Sequence, residues 1–172
     1  MPIEFVPTAD LSDAAPGQIA LDPRIRPVWQ GAVLAGPAFT VRTPPGEHTA
    51  VRLAAERAGP GEVLVVDGGG ELRYALWGDK LSKLALERGI AGVVIDGAVR
   101  DLEGIEELRF PVFALGAVPT GPAHAAPGEL GVPIVCGGVP VSPGDAVYGD
   151  ADGVVVVPAG QHDETLARAR NS

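Results

Sequence analysis

Residues 62–101 read "EVLVVDGGGELRYALWGDKLSKLALERGIAGVVIDGAVRD", and the way this stretch divides decides the fold. Its opening, "EVLVVDGGG" (62–70), is a short valine-rich run, the composition of a strand buried on both faces. A glycine turn and "ELRYALWGD" follow. Leu81, Leu84, Ala85 and Arg88 then recur at helical spacing, which predicts a helix over residues 80–88, ended by Gly89. "AGVVIDG" (91–97) repeats the first pattern, a strand ending in an Asp96-Gly97 turn. Strand, helix and strand at this spacing predict a parallel, right-handed crossover.

Working outward, "GAVLAGPAFTVRT" (31–43) reads as a strand pair or a kinked strand, broken at Gly36-Pro37. "EHTAVRLAAERA" (47–58) is helical, with Ala50, Leu53, Ala54 and Ala58 on one face and a stop at Gly59-Pro60, where glycine accepts a left-handed cap. "FPVFALG" (110–116) is a third buried strand. The last third changes character: short β runs separated by Pro-Gly-Asp and Gly-Asp-Ala-Asp-Gly turns predict antiparallel hairpins, and a short amphipathic helix near 162–170 follows. The expected fold is α/β with a mixed, partly closed sheet, in one domain over residues 1–172. The 17 prolines and 24 glycines sit between apolar runs as turn punctuation, and no linker or repeat stands out.

Composition narrows the function classes. With 46% hydrophobic and 20% charged residues, the 172-residue chain can bury a real core. Its 13 Lys and Arg against 22 Asp and Glu leave a formal charge of −9, which argues against nucleic acid as a partner, since phosphate binding needs cations. An acidic surface remains able to meet a basic protein. The single Cys136, in "PIVCGG", rules out an internal disulfide and a multi-cysteine metal site and reads as a small core residue. No apolar run approaches the ~20 residues of a membrane span, and the acidic N-terminal stretch does not resemble a signal peptide. A cytoplasmic protein is expected.

Most polar features have ordinary explanations. "DGGGEL" lacks the spacing of a dinucleotide fingerprint and the Gly-Lys-Ser/Thr of a phosphate loop, so a tight turn is the simpler reading. His48, His124 and His162 fit no metal-ligand spacing and read as surface or turn histidines. "YGDADG" (148–153) lacks the spaced ligands of a calcium loop and reads as a solvated hairpin turn. The ends of the central crossover differ. Gly78-Asp79 stands at the start of the helix, where first-turn amides and the positive end of the dipole favour a carboxylate or phosphate. Arg100-Asp101 stands beyond the next strand. A right-handed crossover returns its second strand to the edge where its helix began, so the two polar ends should converge. The alternative is an N-cap aspartate plus a surface Arg-Asp pair, worth about 1 kcal/mol or less.

Gly78-Asp79, twenty residues, then Arg100-Asp101 resembles the G-D-x20-R-D signature of the class II pyruvate aldolases typified by 4-hydroxy-4-methyl-2-oxoglutarate aldolase. The same family contains the RraA regulators of ribonuclease E and members once misnamed as menaquinone methyltransferases. "LVVDGGGELRYALWGD", "GVVIDGAVRD", "VSPGDAVYGDADGVVVVP" and "TADLSDA" are similar to further family blocks, so the resemblance spans roughly residues 8–160. It implies an RraA-like fold, a swivelling-domain-like α/β/α sandwich, assembled as a homotrimer or dimer of trimers. It also implies a divalent metal cation, Mg²⁺ or Mn²⁺, and a 2-oxo acid substrate, with decarboxylation of oxaloacetate as a companion activity. By the same resemblance, the backbone amides of the turn Gly78, Asp79, Lys80 and Leu81 hold the substrate carboxylate. Arg100 contacts the 2-oxo oxygen, Asp101 ligates the metal, and Asp79 positions a metal-associated water that moves the proton. Longer aldolases of the family have further C-terminal helices and take an acidic residue from a neighbouring subunit; this sequence offers no identifiable counterpart. The alternative is an RraA-type inhibitor with a ribonuclease E-type partner. Such regulators depart from the aldolase pattern at these aspartates, whereas this chain keeps both.

Overall fold

The protein is described here from a computed structural model covering residues 2–123 and 127–172; His124 lies outside the described residues. Four parallel strands form the middle of the sheet: β2 (Leu34–Arg42), β3 (Val63–Ala75), β4 (Gly92–Val99) and β5 (Val112–Ala117). The order is β1-β5-β4-β3-β2-β9-β10, where β1 is Arg26–Pro27, β9 is Ala146–Asp150 and β10 is Gly153–Val157. These outer strands are antiparallel to their neighbours, and a short β6 (Glu129–Leu130) pairs with the end of β2. The two ends of the sheet approach each other. Arg26 donates to the carbonyls of Ala151 and Asp152 at 2.8 and 3.2 Å, and Ala20 bridges to Val155. The sheet is therefore mixed and nearly closed.

Alternation along the strands sorts side chains between two faces. On one, Leu64, Val66, Val93, Ile95 and Val112 pack against α2 (Thr49–Arg57), α3 (Asp79–Glu87) and α4 (Leu102–Leu108). On the other, Val63, Val65, Val94 and Phe113 pack against the hairpin of β7 (Ile134–Cys136) and β8 (Val139–Val141). A third cluster joins α1 (Thr8–Ala14) and α5 (His162–Arg170) to β9 and β10. Among the described residues, no helix is long and apolar enough to cross a membrane.

Several local expectations need correction. β2 is not broken at Gly36-Pro37; it changes partner there. Residues 34–37 pair antiparallel with β9, and residues 38–42 pair parallel with β3. Gly36 lies so close to the Gly61 carbonyl that a Cβ has no room. The glycines at 68–70 form no turn: β3 runs through them to Ala75 with two register shifts, and Gly69 and Gly70 adopt positive φ of 67° and 73°. Gly97 likewise lies inside β4, which continues to Val99. The left-handed φ expected at Gly59 falls at Gly61, because Ala58 already leaves the helix in extended conformation. The turn at 148–153 is a two-residue hairpin connection, but Asp150 is not merely solvated. Its carboxylate accepts the Thr8 amide at 3.0 Å and the Thr8 hydroxyl at 2.8 Å, tying β9 to the start of α1.

Candidate active site

Two chain segments leave the same edge of the sheet and are joined immediately. After β3, the Leu76 amide donates to Ala98 O at 2.9 Å; after β4, the Arg100 amide donates to Trp77 O at 2.9 Å. Gly78 then caps α3 in extended conformation, and the Asp79 amide donates to Asp101 Oδ2 at 3.2 Å. The convergence expected of the crossover is present. The simpler alternative is not: among the described residues Arg100 and Asp101 form no ion pair with each other, and Asp79 lies inside α3 with no side-chain cap bond at its start.

Asp101, Asp79 and Arg100 each rest against a glycine. A Cβ on Gly78 would collide with Asp101 Oδ2; one on Gly104, in α4, would stand 3.0 Å from Asp79 Oδ2; one on Gly121 would stand 3.0 Å from an Arg100 guanidinium nitrogen. Arg100 is also held by a 3.3 Å hydrogen bond to Pro119 O. Asp101 has a left-handed backbone (φ 62°, ψ 42°) as the residue preceding α4, a conformation that costs an ordinary L-residue about 1–2 kcal/mol and that aspartate tolerates better than most. That conformation lets Asp101 lead into α4 while its carboxylate turns back to the Asp79 amide.

A cleft of about 420 Å³ opens over this edge. Gly78, Asp79, Lys80, Leu81, Arg100 and Asp101 all line it. The first-turn amides of a helix have no intrahelical acceptor, so those of Lys80 and Leu81 offer donors to a bound anion. The cleft is also lined by His48, which sequence reasoning set aside as a surface or turn histidine, and by Arg52, which it did not single out. The signal for them was available: α2 follows β2 as α3 follows β3, so its first turn belongs at the same sheet edge. Of the other two histidines, His162 accepts or donates a 2.7 Å bond with Tyr148 away from the cleft. Cys136 is fully buried, and burial pushes its thiol pKa well up.

Among the described residues, no three His, Cys, Asp or Glu side chains gather into an all-protein metal cage. The cleft carries the carboxylates of Asp79 and Asp101. A hard divalent cation such as Mg²⁺ commonly binds through one or two of these and keeps several waters, so the donor set fits such an ion at Asp101.

Residues 8–156 match the sequence profile of the family described as RraA-like, Aldolase/RraA. The chain belongs to the RraA-like family. A relative from Halalkalibacterium halodurans named "Putative 4-hydroxy-4-methyl-2-oxoglutarate aldolase" is 41% identical over 165 residues, 96% of this chain and 79% of its own length. The solved structure of the RNA-processing inhibitor RraA from Thermus thermophilis superposes with a TM-score of 0.82 at 41% identity, covering 90% of this RraA-like chain and 94% of that one. Streptomyces coelicolor RraAS2, an unusual member of the RNase ES inhibitor RraA protein family, gives 0.87 at 31% identity, with 96% and 87% covered. Both the aldolase name and the regulator name thus occur among proteins of this fold.

Proposed function

We propose that this RraA-like chain is a divalent-metal-dependent class II pyruvate aldolase. It would cleave 4-hydroxy-2-oxo acids of the 4-hydroxy-4-methyl-2-oxoglutarate type and decarboxylate oxaloacetate. One observation carries the reading: the first turn of α3, Arg100 and Asp101 meet around one cleft.

The substrate carboxylate lies against the amides of Lys80 and Leu81, at the positive end of the α3 dipole. Its 2-oxo oxygen faces Arg100. The C3–C4 bond breaks, its electron pair passes into a pyruvate enolate, and negative charge grows on that oxygen beside the fixed guanidinium. The C4 hydroxyl becomes a carbonyl as its proton moves to a water held by Asp79; C3 of the enolate then takes up a proton to give pyruvate. Loss of carbon dioxide from oxaloacetate produces the same enolate. Asp101 would hold a Mg²⁺ or Mn²⁺ ion, which would supply Lewis-acid stabilisation of the same charge. The side chains of Lys80 and Lys83 are exposed, and the scheme requires no Schiff base from either. The reading includes assembly as a homotrimer or dimer of trimers in the cytoplasm, without nucleic acid or membrane.

The deciding experiment is a coupled pyruvate assay with Mg²⁺ or Mn²⁺. Release from 4-hydroxy-4-methyl-2-oxoglutarate or oxaloacetate is expected, and no metal-dependent release from either would sink the reading. The likeness to the Thermus RNA-processing inhibitor favours a second reading, a regulator that binds a ribonuclease E-type enzyme through its acidic surface. Inhibition of RNA cleavage by a protein with no pyruvate-releasing activity would establish it.

A further inference from the structure

Behind the cleft, a chain of hydrogen bonds runs from the core to the Asp101 carboxylate. Trp77 is 2% exposed, and its ring stacks on Phe110 with centroids 6.1 Å apart. Its indole N–H donates to Ser82 Oγ at 2.7 Å. Ser82 is fully buried, and its hydroxyl donates to Gly78 O at 2.9 Å, an oxygen that also accepts the Ser82 amide at 3.1 Å. A helical serine bonding the carbonyl four residues back is ordinary. Here the hydroxyl also accepts an indole donor, and consecutive bonds of this kind polarise one another. Gly78 C=O and the Asp79 amide belong to one planar peptide unit. Its oxygen is fixed by Ser82, and its N–H donates to Asp101 Oδ2 at 3.2 Å.

We propose that Trp77 and Ser82 are positioning residues: through the Gly78–Asp79 peptide they orient the Asp101 carboxylate toward a bound divalent cation. The inference rests on the aldolase reading for its cation and goes beyond it in assigning work to two buried side chains. The test is titration of the full chain with Mn²⁺ alone, following the free-ion electron paramagnetic resonance signal, in parallel with oxaloacetate kinetics. Ser82→Ala should weaken Mn²⁺ binding about tenfold, the usual scale for losing an outer partner of a metal ligand. Ser82→Thr, which keeps the hydroxyl, should restore it. Trp77→Phe, which removes the indole N–H and leaves a smaller aromatic ring in the core, should fall between and carries the test if Ser82→Ala does not fold. Unchanged Mn²⁺ affinity in Ser82→Ala and Trp77→Phe would overturn the positioning role alone. Wild-type protein that binds Mn²⁺ with the expected variant losses, yet releases no pyruvate from oxaloacetate or from 4-hydroxy-4-methyl-2-oxoglutarate, would overturn the aldolase reading and support the relay. Wild-type protein that binds no Mn²⁺ would overturn both.

Discussion

Three glycines decide where Asp79, Arg100 and Asp101 can stand in the cleft, and the tightest is Gly78. Its φ of −156° is open to any residue, so backbone strain does not require glycine there; the Asp101 carboxylate does. Gly78→Ala should push that carboxylate aside while leaving the sheet intact. A displacement of about 1 Å near reacting atoms typically lowers rate about 100-fold, so pyruvate release should fall on that scale with little change in melting temperature. Asp101 itself separates two roles. Asp101→Ala loses the carboxylate and puts alanine in a left-handed conformation, so activity, metal dependence and about 1 kcal/mol of stability should go together. Asp101→Gly loses the same carboxylate but accepts the backbone, so it should be equally inactive and melt higher than the alanine variant. Equal melting temperatures would show that the left-handed conformation carries no penalty.

At the scale of elements, the hairpin of β7 and β8 closes the sheet face opposite α2, α3 and α4, with Cys136 in its core. The thiol lies 3.7 Å from Val66 O and its pKa is raised by burial, so it should resist a thiol reagent such as dithionitrobenzoate near pH 8 until the protein is unfolded. Prompt reaction in the native state would mean that the hairpin opens readily. This level of structure was only partly readable from sequence. The valine runs and the 80–88 periodicity sufficed for the crossover, and handedness alone then brought Gly78-Asp79 to Arg100-Asp101. The lengths of β3 and β4 did not follow, because their glycines serve approaches between strands: a Cβ on Gly68 would stand 2.7 Å from Asp96 O, a contact no local pattern records. β2 continues through Pro37 because a distant strand, β9, takes over the pairing there. The seven residues of α4, with Gly104 among them, show too little periodicity to announce a helix.

Over the whole molecule, a formal charge of −9 surrounds a cleft lined by Arg52, Lys80 and Arg100 as well as by Asp79 and Asp101. An acidic body attracts divalent cations and repels anionic 2-oxo acids at long range, so under the proposed aldolase reading substrate binding would rely on cationic groups close at hand and on an ion at Asp101. Chelation tests this division. Treatment with EDTA should reduce pyruvate release from oxaloacetate to background, and Mg²⁺ or Mn²⁺ should restore it. Because the ion would bind the folded chain and not the unfolded one, the same addition should raise the melting temperature, by the equivalent of about 2.7 kcal/mol at 100 times its dissociation constant. In Asp101→Gly, that rise should disappear along with activity. Activity that survives EDTA would show that Arg100 and the α3 amides stabilise the enolate unaided. A melting temperature that still climbs with metal in Asp101→Gly would move the ion to other carboxylates of the acidic surface.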